Sequence, residues 1–187
     1  MRPLYQSMLT KNKKEMTEVK LFCGLIYRDL DLLREATRLL TKAFGPLDNE
    51  SGIYDFDHTE YYQSEMGTNL IRRFISFEEL VEPTRLVNIK AKTNEIEKKL
   101  ADRDGDSFKR NINIDPGYME LSKIVLASTK NYSHRIYMGK GIFAEVTLIR
   151  KNNKFKFLPW TYPDYVHPIA LVFFEETRTI LKNQISE

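Results

Sequence analysis

The run Val19–Tyr27 (VKLFCGLIY) is the feature that most restricts how this chain can fold. It is short, largely apolar and rich in residues that favour strands, with no alternation between polar and apolar positions. A strand of this kind is buried on both faces, as happens when helices cover both sides of a sheet. The run therefore predicts a central strand with other elements packed above and below it.

The segments that follow predict the order β-α-β-β-α-β through about residue 115. After a cap at Asp29 or Asp31, a helix carries Leu33, Ala36 and Leu40 at helical spacing and stops at Gly45-Pro46. Further strand signals lie at residues 51–56, 69–77 and 111–114, and a second helix starts at Pro83. This order predicts an α+β fold with a ferredoxin-like split βαβ core and a mixed or antiparallel sheet.

The C-terminal part extends this predicted core. His134–Met138 and Ile142–Ile149 form a β-hairpin pattern around Gly139-Lys140-Gly141, and a terminal helix is predicted over residues 169–183. The polar run 102–109 is predicted to be a loop. We expect residues 1–17 to be a loose N-terminal lead-in and residues 18–187 to be a single α+β domain.

Composition excludes several classes of protein. The chain is 42% hydrophobic and 29% charged, as in globular proteins, and its single Cys23 excludes an internal disulfide or a multi-thiolate zinc site. No stretch has the ~18 apolar residues of a membrane span, and the first sixteen residues lack the apolar core of a signal peptide. We therefore expect a cytoplasmic protein without a membrane partner.

The segment Arg110–Leu148 carries most of the candidate chemistry. It combines a DPGY turn (Asp115–Tyr118), the triplet Ser128-Thr129-Lys130, the pair His134-Arg135 and the glycine-flanked hairpin. Basic and hydroxyl side chains beside turns are typical of a site for an anionic ligand, because they supply charge-assisted hydrogen-bond donors. A solvated basic loop is the alternative, and we give the two interpretations equal weight.

The hairpin predicts one specific contact. If residues 139–141 form a three-residue loop, Met138 lies opposite Ile142, Tyr137 opposite Phe143, and Arg135 opposite Glu145. An ion pair between Arg135 and Glu145 can stabilise the sheet, or it can hold the guanidinium ready for a phosphate.

Candidate acid–base groups are His134, Asp57 and Glu65. Asp57 and Glu65, together with Asp55 and His58, also have a composition that could hold Mg²⁺. Capping of helices and turns is the alternative for these residues. No fixed metal-ligand spacing is matched, so no metal ligands are assigned.

The remaining candidates are assigned by position. Arg72 and Arg73 point to opposite faces of a strand, so only one can serve a given site, and Arg73 is chosen. Lys90, Asn94 and Glu97 lie on one stripe of the second predicted helix. Contacts between residues three and four positions apart in that helix explain their spacing. The predicted ligand-binding set is Arg73, Arg110, Asp115, Tyr118, Thr129, Lys130, Arg135, Glu145 and Trp160.

Several blocks of the sequence resemble a known family. The blocks FDHTEYYQSEMG, RRFISFEEL, RNINIDPGY, VLASTK, HRIYMGKGIFAEVTL and PWTYPDY occur in order after Glu18. Together they resemble the bacterial family called domain of unknown function 4416, which implies a free-standing small protein without an established activity. The chain has no phosphate-binding loop of the G-x-x-x-x-G-K-[ST] type and no G-x-G-x-x-G turn.

These observations lead to three functional hypotheses. The first is binding of a phosphorylated small molecule or nucleotide, with phosphoryl or phosphodiester chemistry if the protein is an enzyme. The second is binding of RNA or single-stranded nucleic acid, in which Tyr137 and Phe143 stack bases beside Arg135. The third is a non-catalytic structural or interaction module, which includes a homo-oligomer joined through exposed strands.

Overall fold

The computed structural model describes residues 18–57, 62–104 and 107–186. The strands are β1 (Val19–Tyr27), β2 (Leu47–Glu50), β3 (Tyr54–Asp55), β4 (Ile71–Val81), β5 (Asp102–Asp104), β6 (Ser107–Lys109), β7 (Ile112–Met119), β8 (Lys123–Ser128), β9 (Ile136–Gly139), β10 (Ile142–Lys151) and β11 (Lys154–Phe157). The helices are α1 (Leu30–Phe44), the single turn α2 (Gln63–Met66), α3 (Leu86–Lys99) and α4 (Pro168–Gln184). The predicted lead-in, residues 1–17, lies outside the described residues.

One large antiparallel sheet organises the described chain. Its strand order is β11-β10-β8-β7-β1-β4-β2, with β3 added to β4 and β9 added to β10. All nine residues of β1 are buried between β4 and β7. The prediction of a central strand is confirmed, and the fold class is mixed α+β.

Helices cover both faces of the sheet. On one face, Leu21, Cys23 and Leu25 of β1 pack against α1 and α3. On the other face, Phe22 packs against α4, where its ring lies 5.5 Å from that of Phe174. The alternation of side chains along β1 therefore supplies two cores from one strand.

The first helix follows its predicted signals closely. The Asp29 carboxylate accepts a hydrogen bond from the backbone N–H of Leu32 at 2.9 Å, which caps the first turn. Gly45 has φ of 93°, a value that favours glycine, and its N–H bonds the carbonyl of Thr41.

The predicted turn at Asp115-Pro116-Gly117 is wrong, because these residues lie inside β7. Pro116 is tolerated because β7 pairs with β8 only from Gly117 onwards, so the ladder on that side has already ended. Gly117 allows close packing: a Cβ there would lie 2.5 Å from both the Phe22 ring and the Val125 carbonyl oxygen.

Two other local predictions need correction. The predicted loop over residues 102–109 contains the paired strands β5 and β6, while residues 105 and 106 lie outside the described part. In the hairpin, Tyr137 does pair with Phe143, but Ile142 lies opposite Gly139 rather than Met138. The turn is Lys140-Gly141, both with positive φ, and a bulge restores the register.

Within the described residues, no helix is long and apolar enough to cross a membrane.

Candidate functional site

A cavity of about 450 Å³ opens where β7 and β8 separate. The two strands pair only between Gly117–Met119 and Ile124–Leu126. Beyond that point Asp115 of β7 and Ser128 of β8 line the cavity, and α3 and the segment Tyr162–Tyr165 complete its walls. Its charged lining residues are Arg72, Lys90, Arg110, Lys130, Arg135, Glu97, Asp115 and Asp164.

Arg72 forms the floor of the cavity and is fully buried. Its Nε lies 3.0 Å from Asp164 Oδ2 without an aligned hydrogen bond, and its Nη1 lies 3.5 Å from Asp115 Oδ2. Gly24 makes room for the guanidinium, since a Cβ there would lie 2.8 Å from Arg72 Cζ. Burial lowers the pKa of Arg72, but the interactions with Asp164, Tyr165 and Asp115 together outweigh burial and raise the pKa above its ordinary value. The floor therefore stays positively charged.

Helix α3 presents Lys90, Asn94 and Glu97 to the cavity. Lys90 Nζ donates to the carbonyl oxygen of Ile114 at 2.9 Å, and the N–H of Ile114 donates to Glu97 Oε1 at 2.7 Å. A single residue of β7 thus holds both charged groups. Burial raises the pKa of Glu97, and the nearby ammonium of Lys90 only partly offsets this.

The raised pKa of Glu97 predicts a pH dependence of stability. The folded protein binds the Glu97 proton more tightly than the unfolded chain does. The contribution of Glu97 to the free energy of unfolding is therefore fully present below the ordinary glutamate pKa of about 4.5, and it is lost as pH rises through the folded pKa. We expect Glu97→Gln to remove this part of the slope when urea unfolding is measured across that range. Glu95→Gln, an exposed change on the same helix, is the control, and identical slopes for wild type and Glu97→Gln would contradict the assignment.

Arg135 holds the loop after β8 in place. Its Nε donates to Glu145 Oε2 at 2.6 Å, and Nη1 donates to Ser128 Oγ at 2.8 Å and to the Lys130 carbonyl at 3.0 Å. Nη2 donates to the Tyr162 hydroxyl at 2.7 Å. The predicted ion pair between Arg135 and Glu145 is confirmed, and both side chains are buried. With four bonds made, the guanidinium mainly positions the cavity wall.

The predicted site residues divide into two groups. Those that line the cavity are Arg110, Asp115, Thr129, Lys130 and Arg135. Those that do not line it are Asp57, Glu65, Arg73, Tyr118, His134, Glu145 and Trp160.

Arg73 lies on the opposite face of β4 from the cavity and pairs with Glu50 at 2.9 Å. Arg72 occupies the cavity instead, because neighbouring residues of a strand point to opposite faces. Tyr118 is half-buried and packs against the core between β1 and α3.

His134 lies outside the cavity lining. Its Nε2 lies 3.0 Å from Glu145 Oε2, and its ring stacks on Trp160 at 5.0 Å. Trp160 Nε1 donates to the carbonyl oxygen of Val146 at 2.8 Å, which fixes the indole to the outer edge of β10.

The two predicted carboxylates also lie outside the cavity lining. Glu65 accepts a hydrogen bond from Arg110 Nε at 2.9 Å and so orients a cavity cation from outside. Asp57 is exposed, and His58 lies outside the described residues. Across the part of the chain that the structure describes, no group of three or more His, Cys, Asp or Glu side chains could hold a metal ion.

Sequence analysis missed Arg72, Lys90, Asn94, Glu97 and Asp164 as cavity residues. Gly24 in the middle of an apolar strand was a signal, since glycine there often marks the close approach of another group. The spacing of Lys90, Asn94 and Glu97 was visible too, but an exposed stripe and a cavity stripe have the same spacing.

The fold and the cavity define an α+β protein whose antiparallel sheet carries helices on both faces and whose diverging strands enclose a highly charged cavity. The chain belongs to the family described as Domain of unknown function (DUF4416), whose model matches residues 17–180. No curated protein and no solved structure matches it.

Proposed function

We propose that this protein binds a phosphorylated small molecule or nucleotide in the cavity between β7 and β8. The observation that carries the proposal is the convergence of five Lys and Arg side chains from separate segments on one cavity, against three carboxylates. An excess of cations in a concave, partly buried site favours an anionic ligand.

Hydrogen-bond donors remain for such a ligand. Lys90 uses one of its three N–H groups on Ile114, and Arg110 uses three of its five on Glu65 and Asn113, so each keeps two. Tyr62 and Tyr132 also line the cavity, so their rings can contact a base or a sugar. Charged donors beside aromatic rings suit a nucleotide.

The proposal extends to phosphoryl or phosphodiester chemistry. Cations that bind a phosphate also stabilise the charge that develops when one of its bonds breaks. Turnover of a bound ligand is therefore worth assaying alongside binding.

Thermal-shift screening against nucleotides, phosphosugars and short RNAs, with and without Mg²⁺, tests the proposal. A ligand at 100 times its dissociation constant adds about 2.7 kcal/mol of stability, which a melting curve resolves. We expect a shift with at least one phosphorylated compound and its loss in Lys130→Ala. A panel that produces no shift would contradict the proposal.

We also propose a ferredoxin-like core and a cytoplasmic location for this protein. The order β7-β1-β4-β2, with α1 and α3 packed on one face, supports a ferredoxin-like core. The buried free thiol of Cys23 is compatible with a reducing, cytoplasmic location.

Binding of single-stranded nucleic acid is the second candidate. The Tyr137 ring is exposed and lies 5.2 Å from that of Phe143, which leaves an aromatic surface for stacking. Arg135 is buried, however, and its guanidinium bonds Glu145, Ser128, the Lys130 carbonyl and Tyr162. Affinity for a short RNA that hardly changes between low and moderate salt would exclude this candidate. The third hypothesis, an interaction module without a pocket, is disfavoured by the cavity.

A further inference from the structure

Four polar side chains line the cavity along α3 and just before β7, and we call them the α3 subsite: Lys90, Asn94, Glu97 and Arg110. Lys90 Nζ lies 3.9 Å from Glu97 Oε1, and Arg110 Nη1 lies 3.8 Å from Glu97 Oε2. Both distances are too long for hydrogen bonds. Lys90 and Arg110 therefore lie close to the Glu97 carboxylate without donating a hydrogen bond to it.

Some polar atoms of the α3 subsite make no hydrogen bond within the part of the protein that the structure describes. Among the described residues, the Asn94 side chain and Glu97 Oε2 have no hydrogen-bond partner, whereas Glu97 Oε1 is fixed by the N–H of Ile114 at 2.7 Å. Glu97 itself is only 8% exposed. The subsite thus offers several donors together with one carboxylate oxygen, Glu97 Oε2, that faces Arg110 at 3.8 Å without a hydrogen bond.

A carboxylate oxygen among cations discriminates between oxyanions. A fully ionised oxyanion has no proton to give, so its oxygens would meet Glu97 Oε2 with lone pairs facing each other. A phosphate group that keeps one proton can direct that O–H at Glu97 while its other oxygens accept from Lys90, Asn94 and Arg110.

We propose that Glu97 makes the site selective for a phosphate group that carries a proton, either free hydrogen phosphate or a phosphomonoester monoanion. It would then exclude sulfate and phosphodiesters, which narrows the chemistry proposed above to phosphomonoesters. This inference rests on the proposed function, because it names the form of phosphate that the same cavity accepts. Glu97 acts here as a specificity-determining residue that contacts the ligand.

The charged groups that face Glu97 are Lys90 on α3, Arg110 before β7 and Asp115 on β7. The proton on the ligand gives the proposed selectivity its dependence on pH. Inorganic phosphate keeps a proton at neutral pH, whereas a phosphomonoester loses its last proton near pH 6. A monoester must therefore take up a proton to bind above that pH, and its affinity should fall as pH rises while that of inorganic phosphate holds.

The test is calorimetric titration of the full chain with inorganic phosphate and with sulfate at about pH 8, where both are dianions but only phosphate carries a proton. We expect phosphate to bind at least ~100-fold more tightly, because a site built around a hydrogen bond strongly rejects an analogue that cannot make it. Glucose phosphate as a third titrant separates a monoester from free phosphate through its loss of affinity between about pH 6 and pH 8.

Two variants test the role of Glu97 directly. Glu97→Gln presents an amide N–H in place of an acceptor, so the preference for phosphate should fall to within about threefold. Glu95→Gln, on the exposed side of α3, should keep the full preference. Circular dichroism spectra that match the wild type show that each variant is folded.

The other outcomes overturn the inference. Equal affinities for phosphate and sulfate, or a preference that survives in folded Glu97→Gln, would remove the role of Glu97 and leave the proposed function standing. Binding of a phosphorylated compound in the thermal-shift panel without any binding of inorganic phosphate or glucose phosphate would do the same. Failure of every phosphorylated compound would remove both.

Discussion

Replacing Arg72 with methionine should lower the free energy of unfolding by about 3–5 kcal/mol, because it removes a buried positive charge that faces the carboxylates of Asp164 and Asp115. The guanidinium is fully buried, lies 3.0 Å from Asp164 and 3.5 Å from Asp115, and stacks 4.5 Å from the centre of the Phe74 ring. Methionine keeps much of the apolar contact but none of the charge. Urea unfolding at neutral pH, followed by circular dichroism, measures the loss.

The neighbouring arginine provides a matched control. Arg73 is adjacent in sequence, lies on the opposite face of β4, and pairs with the partly exposed Glu50. Arg73→Met should cost less than about 1 kcal/mol, as partly solvated ion pairs usually do. Equal losses in the two variants would show that the position of Arg72 under the cavity has no special energetic importance.

The second large effect is expected at Glu145. Its buried carboxylate accepts from Arg135 Nε at 2.6 Å, and it also contacts His134 Nε2 at 3.0 Å and Thr147 Oγ1 at 3.3 Å. Glu145→Gln removes the negative charge that balances the buried Arg135, which should lower the free energy of unfolding by about 3 kcal/mol. The change should also weaken ligand binding, because it loosens the position of Arg135, which donates to Ser128 in the cavity wall.

Glu175→Gln is the corresponding control for a more exposed pair. Glu175 accepts from Arg150 at 2.6 Å, but its side chain is 41% exposed. We expect the change to cost under about 1 kcal/mol and to leave binding unaltered. A Glu145→Gln protein as stable as this control would mean that the Arg135 pair does not support the cavity wall.

The parts of the fold that were predictable depend on local signals. Val19–Tyr27 was recognisable because a strand buried on both faces needs an apolar run, and α1 was recognisable from its cap and its glycine stop. The turn predicted at Asp115-Pro116-Gly117 was wrong because these residue types favour a turn when only local sequence is considered. Only the point where β8 stops pairing with β7 shows why Pro116 fits inside a strand.

The cavity was predictable only in part, for a physical reason. Thr129, Lys130 and Arg135 lie close together in sequence, so their shared location could be inferred from one segment. Arg72 and Glu97 reach the same cavity from β4 and α3, and pairing across the sheet brings them together. Alternation along a strand showed that only one of Arg72 and Arg73 could face a site, but it did not show which one.

The central claim is that the cavity between β7 and β8 binds a phosphorylated small molecule. The most direct measurement is calorimetric titration of the compound that gives the largest thermal shift into wild type, Lys130→Met and Lys123→Met. Lys130 lines the cavity, whereas Lys123 lies at the other end of β8 and pairs with Glu120. We predict a loss of at least tenfold in Lys130→Met, equivalent to about 1.4 kcal/mol, and no change in Lys123→Met. Unchanged affinity in Lys130→Met would contradict the claim.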